Sequence, residues 1–392
     1  MRKVNTPPKE WELKRISSLG KFYKGSGITK MELVEQGHNA IRYGELYTKY
    51  HHKITNVRSF IPETVATNAT KVLQGDILFA GSGETIDEIG KSATYQLEED
   101  AYAGGDIIIL RPKKDNSLFL SYFLNVGQAR KKLRERGQGQ SVVHIYKKDI
   151  QSLEFYLPPL PEQERIVAVL ETWDEMVEKL KQKIEIKKQI KKGLAHELLT
   201  GRKRISSFSD KWPKNEIGNL LNYEQPTKYL VADTNYLSKG TPVLTAGKTF
   251  ILGYTNDTTG VCDQGNVIIF DDFTTATKFV TFPFKVKSSA MKLLTPKNSD
   301  VNLRFIYERI QMINSDLGGH KRRYLSEFQY NSISLPSIEE QNAITDVLEN
   351  ADNEISSLKR KLALYLGQKK YLLNNLVTGA IRTPEDLLEK VK

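Results

Sequence analysis

Leu157-Pro158-Pro159-Leu160-Pro161-Glu162-Gln163-Glu164-Arg165-Ile166 is the stretch on which the fold turns, because it returns 178 residues later. The second copy reads Leu335-Pro336-Ser337-Ile338-Glu339-Glu340-Gln341-Asn342-Ala343-Ile344. At the same offset Val169-Leu170-Glu171 falls on Val347-Leu348-Glu349, and Asp174 on Asp352. Lys191-Lys192 falls on Lys369-Lys370, Thr200-Gly201 on Thr378-Gly379, and Arg204 on Arg382. Without a gap, 19 of 49 positions are identical. Agreement at that level marks an internal duplication, and a repeat governs how the rest of a chain is read.

Both copies predict long helices. In the second, apolar side chains fall at Ile344, Leu348, Ala351, Ile355, Leu358, Leu362, Tyr365, Leu372 and Leu376. These steps alternate four and three, the heptad spacing of a coiled-coil seam. Lys369 interrupts it. The first copy carries Ile166, Leu170, Trp173, Val177, Leu180, Ile184, Leu194 and Leu198 in the same phase, interrupted by Lys187 and Lys191. Pro161 suits a first helical turn, where its missing N–H is no loss. Ser337 and Glu340 read as a capping box. Gly201 and Gly379 stand where left-handed C-caps are expected. A helix over 162–199 would be a rod of roughly 57 Å at about 1.5 Å per residue. Such a seam can bury itself on the adjoining segment or on the other helix. Its repetition at equal phase favours pairing of the two helices, antiparallel by the order of the repeats.

The segments between are of another kind. Residues 1–156 and 206–334 hold short β-branched and aromatic runs broken by Gly, Pro, Asn and Asp. Gly75–Ala80, Gly105–Leu110 and Gly265–Phe270 each read as a turn and then a strand. A helix-like stretch follows in each segment (Leu118–Arg136; Leu303–Asn314), then a Gly-rich polar loop. The expected fold class is α+β. Two globular α/β domains are separated by two long helices packed as an antiparallel coiled coil, a pseudo-two-fold repeat. The predicted divisions are 1–156 and 206–334 for the globular domains, and 157–205 and 335–392 for the helical regions.

Composition narrows the function. Over 392 residues Lys and Arg number 58 and Asp and Glu 47, a net +11, with 39% hydrophobic residues. That is enough apolar material for real cores. Of the +11, +9 lies on the two globular segments, +3 on the first helical region and −1 on the second. One cysteine, Cys262, excludes an intrachain disulfide framework and a Cys-based zinc site. No apolar run approaches the ~18 residues of a membrane span. The N-terminus lacks a signal-peptide core, so a cytoplasmic protein without a membrane partner is expected. The densest basic clusters occupy equivalent places. One comprises Lys131, Lys132, Arg134, Arg136, Gln138 and Gln140; the other comprises His320, Lys321, Arg322 and Arg323. Lys and Arg neutralise phosphates, while Arg, Gln and Asn also read base edges. Cations at a helix end answer its dipole as well, but two clusters at equivalent places favour DNA contact.

Signatures of catalysis are missing. Ala246-Gly247-Lys248-Thr249 ends like a phosphate-binding loop, but Pro242 stands where that pattern needs glycine. No Asp/Asn-Pro-Pro-Phe/Tyr methylation motif occurs, and the six histidines form no H-x-x-x-H pair. Asp271-Asp272 reads as a turn former rather than a metal site.

These residues resemble the specificity subunits of Type I DNA restriction-modification systems. The marks are Leu157–Gln163 with its echo Leu335–Gln341, closed by Leu199-Thr200-Gly201 and Val377-Thr378-Gly379. Gly25–Lys30 and Ile41–Tyr47 look like phrases of target-recognition domains. Tyr223–Tyr229 and Leu244–Thr249 look like another recognition-domain type. Arg42, Tyr43 and Lys248 in these phrases therefore join the DNA-contact candidates. The resemblance implies a non-catalytic subunit binding double-stranded DNA at a bipartite, asymmetric site. Each recognition domain would read one half, and the helices would set the gap. It further implies two methyltransferase subunits as partners, with restriction subunits in the full complex. S-adenosylmethionine, ATP and magnesium would belong to those partners, with no cofactor or metal in this chain. Helix pairing and methyltransferase docking are expected at Pro158, Glu162, Gln163, Leu170, Trp173, Leu180, Pro336, Glu340, Gln341, Leu348, Leu358 and Leu362. Two rival readings are a specificity subunit serving a fused restriction-methylation enzyme, and a coiled-coil adaptor without a DNA role.

Overall fold

The duplicated stretches are the two longest helices of a computed structural model that describes residues 7–205, 207–247, 249–313 and 323–390. Among the described residues, helices of eight or more residues are α1 (Ser117–Leu124), α2 (Gly127–Arg134), α3 (Leu160–Leu199), α4 (Leu303–Ile310) and α5 (Ile338–Leu376). The long helices α3 and α5 start at the same position under the 178-residue offset, Leu160 and Ile338. Gly201 and Gly379 both take φ 72°, the left-handed backbone of a C-cap. The predicted capping box forms only in part. The Ser337 hydroxyl accepts from the Glu340 amide at 3.4 Å, but the Glu340 carboxylate is engaged elsewhere.

The chain divides into two compact units, Met1–Lys181 with Lys361–Lys392, and Gln182–Arg360. Each combines one globular segment, the first half of the helix that follows it, and the last half of the other long helix. In the first unit a five-stranded sheet runs in the order Gly20–Lys24, Ile107–Pro112, Ile77–Ala80, Ser92–Tyr95, Lys53–Ile54. Ile77, Leu78, Phe79 and Ala80 are all buried, so this strand is covered on both faces. A four-stranded sheet (Ser59–Ile61, His38–Ile41, Ala101–Ala103, Thr70–Val72) lies alongside in sequence and carries its own small core. Strand Glu12–Arg15 pairs antiparallel with Glu154–Leu157, bringing the start of the segment to the root of α3.

The second unit repeats the plan with other residues. Its four-stranded sheet runs Leu221–Glu224, Met291–Pro296, Val267–Asp271, Thr277–Val280. Strand Lys214–Glu216 pairs with Ser332–Ser334 at the root of α5. The strands expected after Gly75, Gly105 and Gly265 are all present. One expectation is corrected. The stretch 118–136 is two helices, not one. The Asn125 side chain bonds Ser92 of the sheet (Nδ2 to the Ser92 carbonyl, 2.7 Å), and Gly127 takes φ 55°, which together end α1 and start α2.

Each unit has a main core that includes helix residues. In the first, Ile166, Val167 and Leu170 from the start of α3 pack with Leu373, Leu376 and Val377 from the end of α5 region, and with Phe119, Phe123 and Phe155. In the second, Ile344 and Leu348 pack with Leu198 and Leu199, and with Phe270, Phe305 and Phe328. Ile166 and Ile344, Leu170 and Leu348, Leu198 and Leu376, and Leu199 and Val377 are pairs at the 178-residue offset. A buried side chain of this size contributes about 1.5–3 kcal/mol, so the duplicated positions anchor each unit.

Candidate nucleic-acid interface

At the root of each long helix sits a buried glutamate. Glu162 is 1% exposed. Its oxygens accept from Arg382 Nε (2.5 Å) and Nη2 (2.9 Å), and from Trp11 Nε1 (3.2 Å). Glu340, 2% exposed, accepts from Arg204 Nε (2.6 Å) and Nη2 (2.7 Å), and from Trp212 Nε1 (2.9 Å). A forked guanidinium matches a carboxylate oxygen for oxygen, which makes the pair directional as well as strong. Gln163 and Gln341 are fully buried beside them. Gln163 donates to the Pro158 carbonyl and accepts from the Asn116 amide, and Gln341 does the same with Pro336 and Asn302. The leucine-proline-glutamate-glutamine signature is thus a clamp holding a helix root to its own globular segment and to the tail after the other helix.

Glu162, Gln163, Glu340 and Gln341, expected at helix pairing or methyltransferase docking, are buried with their polar groups bonded inside the chain. Leu170, Leu180 and Leu348 are likewise buried, while Trp173, Leu358 and Leu362 are half-buried. Trp173 meets Tyr365 edge-on with ring centroids 5.4 Å apart.

The lysines that interrupt the seam are ion-paired. In the second unit Lys191 donates to both oxygens of Asp352 at 2.7 Å, and Lys187 lies 2.8 Å from Glu354. In the first, Lys369 pairs with Asp174. In the second unit the partners run in opposite order along the two helices, Lys187 with Glu354 and Lys191 with Asp352, so that pair of helix halves is antiparallel. The same aspartates also bind the globular segments. The Tyr122 hydroxyl of α1 donates to Asp174 (2.7 Å), and Arg304 of α4 to Asp352 (2.8 Å). Asp174 stays below the usual carboxylate range, with burial opposing and the Lys369 and Tyr122 hydrogen bonds prevailing. Beside it, burial and the Lys369 charge push the His52 imidazole down to about 4.

Of the DNA-contact candidates, several have work inside the fold. Arg134 pairs with Asp87 at 2.7 Å, Lys131 with Glu135 at 3.7 Å, and Lys132 donates to the Glu154 carbonyl. Arg136, Gln138 and Gln140 are exposed. Arg42 and Tyr43 are half-buried, with Tyr43 packed against the cluster of Ile41, Leu46, Leu78 and Ile109. Arg323 is 4% exposed, so its side chain is not on the surface as expected. Burial there goes with its place before Tyr324, which packs on Phe270 and Phe328. Lys248, His320, Lys321 and Arg322 lie outside the described residues. Asp271 is the turn former expected, accepting from the amides of Phe273 and Thr274. No group of three or more metal-ligating side chains occurs among the described residues, and no described helix is long and apolar enough to cross a membrane.

Arg204 and Arg382 are identical under the offset, but their role is not legible in the sequence, because the partner of each lies 136 and 220 positions away.

A two-headed chain whose repeated helix roots are locked in this way defines a class, and comparison with known proteins gives the class its name. The model of the Type I restriction modification DNA specificity domain matches residues 8–190 and 209–364, and the chain belongs to that family. The specificity subunit of the Type I restriction enzyme EcoR124I/EcoR124II of Escherichia coli is 41% identical over 167 residues, which cover 40% of this chain and 41% of that protein. The chain therefore spans less than half the length of that curated relative in the match. Two solved structures extend over nearly the whole chain at 16% identity, which speaks for the fold alone. The Type I restriction-modification S subunit from M. genitalium superimposes with a TM-score of 0.60, covering 96% of this chain and 98% of that one. The HsdS subunit from Thermoanaerobacter tengcongensis gives 0.53, covering 97% and 99%.

Proposed function

We propose that this chain is the DNA-recognition subunit of a Type I restriction-modification complex and has no catalytic role of its own. Each globular segment reads one half of a bipartite site in double-stranded DNA. The two helices, running on through both units as one antiparallel coiled coil, hold the readers at a fixed distance. The observation that carries this reading is the repeated clamp. Glu162 with Arg382 and Glu340 with Arg204 tie each reader to the two helices by the same residues at the same offset. Half-sites are spaced by whatever holds the readers apart, and a clamped helix pair keeps distance where a loose linker does not. A repeated scaffold also suits two identical partners, one on each half. Those partners are methyltransferase subunits carrying S-adenosylmethionine, joined by restriction subunits that use ATP and magnesium, in the cytoplasm.

The test is methylation-sensitive sequencing of DNA from cells that hold this chain and its methyltransferase. The expected result is one methylated motif made of two short specified halves around an unspecified gap. A single uninterrupted motif, or no methylation that depends on this chain, would overturn the proposal.

A further inference from the structure

The first globular segment has a cleft of about 400 Å³ that the basic cluster at 131–140 does not account for. It lies at one end of the five-stranded sheet. Strand Gly20–Lys24 ends there, Ile107–Pro112 begins, and Ile77–Ala80 runs out into Gly81. The sequence Val143-His144-Ile145-Tyr146 crosses it in extended form. Val143 and Ile145 are buried, so by alternation His144 and Tyr146 point to the other side. Tyr146 is 50% exposed, with its ring roughly parallel to that of His144. The Ser82 hydroxyl, itself buried, holds His144 Nδ1 at 2.8 Å. That leaves Nε2 as the ring nitrogen without a hydrogen-bond partner among the described residues.

The charges here differ from those of the basic cluster. Lys24, Lys147 and Lys148 line the cleft, are exposed, and have no ion-pair partner among the described residues. Arg134 and Lys131 nearby are already paired. One carboxylate, Asp106, lines the cleft as well. Its backbone is held at φ 60°, a conformation costly for most residues but tolerated by Asp and Asn. Its carbonyl accepts from the Gly81 amide at 2.7 Å, which fixes the turn. Unpaired lysines, an acceptor and two amphipathic rings share one lining, a set suited to phosphates and to base edges. A carboxylate accepts from the exocyclic amine of cytosine, and the lysines answer backbone charge. The His144 backbone is held by Gln138, each amide donating to the other's carbonyl at 2.8 Å.

Resting on the function proposed above, we infer that this cleft is where the first segment touches base edges of duplex DNA. Asp106, His144 and Tyr146 are the reading groups, and Lys24, Lys147 and Lys148 the phosphate contacts.

The experiment measures binding of the chain, assembled with its methyltransferase subunits, to a fluorescent duplex bearing the methylated motif and to a scrambled duplex, over a range of salt. Each of K24A, K147A and K148A is expected to weaken both duplexes and to lower the slope of log K against log salt by about 0.9. D106N and H144Q are expected to weaken the motif duplex by about 10- to 100-fold, the scrambled one little, and to relax sequence choice in one half-site only. Asn tolerates the backbone at 106, and melting curves matching the parent exclude misfolding. If the parent complex discriminates the two duplexes while the variants match it in affinity and slope, the cleft assignment is overturned and the function stands. If the parent itself does not discriminate, the function falls and the cleft assignment with it.

Discussion

Replacing Arg204 by alanine probes the clamp at the root of α5. The change leaves Glu340, 2% exposed, with the Trp212 indole N–H as its remaining donor among the bonds described. Removing one partner of a buried ion pair costs about 3–5 kcal/mol, because the other charge stays behind uncompensated. The Arg204 side chain is 26% exposed, so water enters where the guanidinium was, and the cost falls near the lower end, about 3 kcal/mol. Arg204→Lys keeps the charge but loses the fork on both oxygens, and should cost about 1–2 kcal/mol. Combining Arg204→Met with Glu340→Gln removes both charges, and should be less damaging than Arg204→Ala. Hydrogen exchange read by mass spectrometry resolves the effect by segment. The slowest amides of Ile338–Asp352 should lose about 3 kcal/mol of protection, and those of Leu160–Asp174 little. A loss under about 0.5 kcal/mol, or an equal loss in both places, would refute the assignment of Arg204 as a local clamp.

Other consequences are as specific. His52 is held at about 4, below its value near 6.5 in an unfolded chain, so the unfolded state binds the extra proton between those values. Its contribution is therefore full above pH 6.5 and lost as pH falls toward 4, on the order of 3 kcal/mol. His52→Phe should flatten that part of the stability–pH profile, as measured by urea unfolding. A Cβ at Gly379 would meet Pro8 Cγ at 2.6 Å, whereas one at Gly201 would meet Trp212 at 3.4 Å, and both glycines carry φ 72°. Gly379→Ala should then lower the melting temperature more than Gly201→Ala, each costing at least about 1 kcal/mol.

The helices were legible in the sequence because heptad spacing and a repeat are local and redundant signals. Ile166, Leu170, Ile344 and Leu348 are buried as the seam required. Even its interruptions were informative, since Lys191 and Lys369 face Asp352 and Asp174, four positions that coincide pairwise under the offset. What stayed hidden depended on distant partners. Nothing local tells that Glu162 meets Arg382, 220 residues on, or that Arg134 is spent on Asp87. A run of basic residues reads alike whether its charges are free or already paired. The cleft beside Val143–Tyr146 depends on the sheet end supplied by Lys24, Gly81 and Asp106, which no local pattern in that stretch announces.

The helix pair as a ruler is the claim most open to direct measurement. One heptad inserted after Leu180 and another after Leu358 preserves the seam and lengthens both helices by about 10 Å. Methylation sequencing of cells carrying that variant should return the parental half-sites with a gap longer by up to about 3 base pairs, at 3.4 Å each. The parental motif with its gap unchanged would contradict the account.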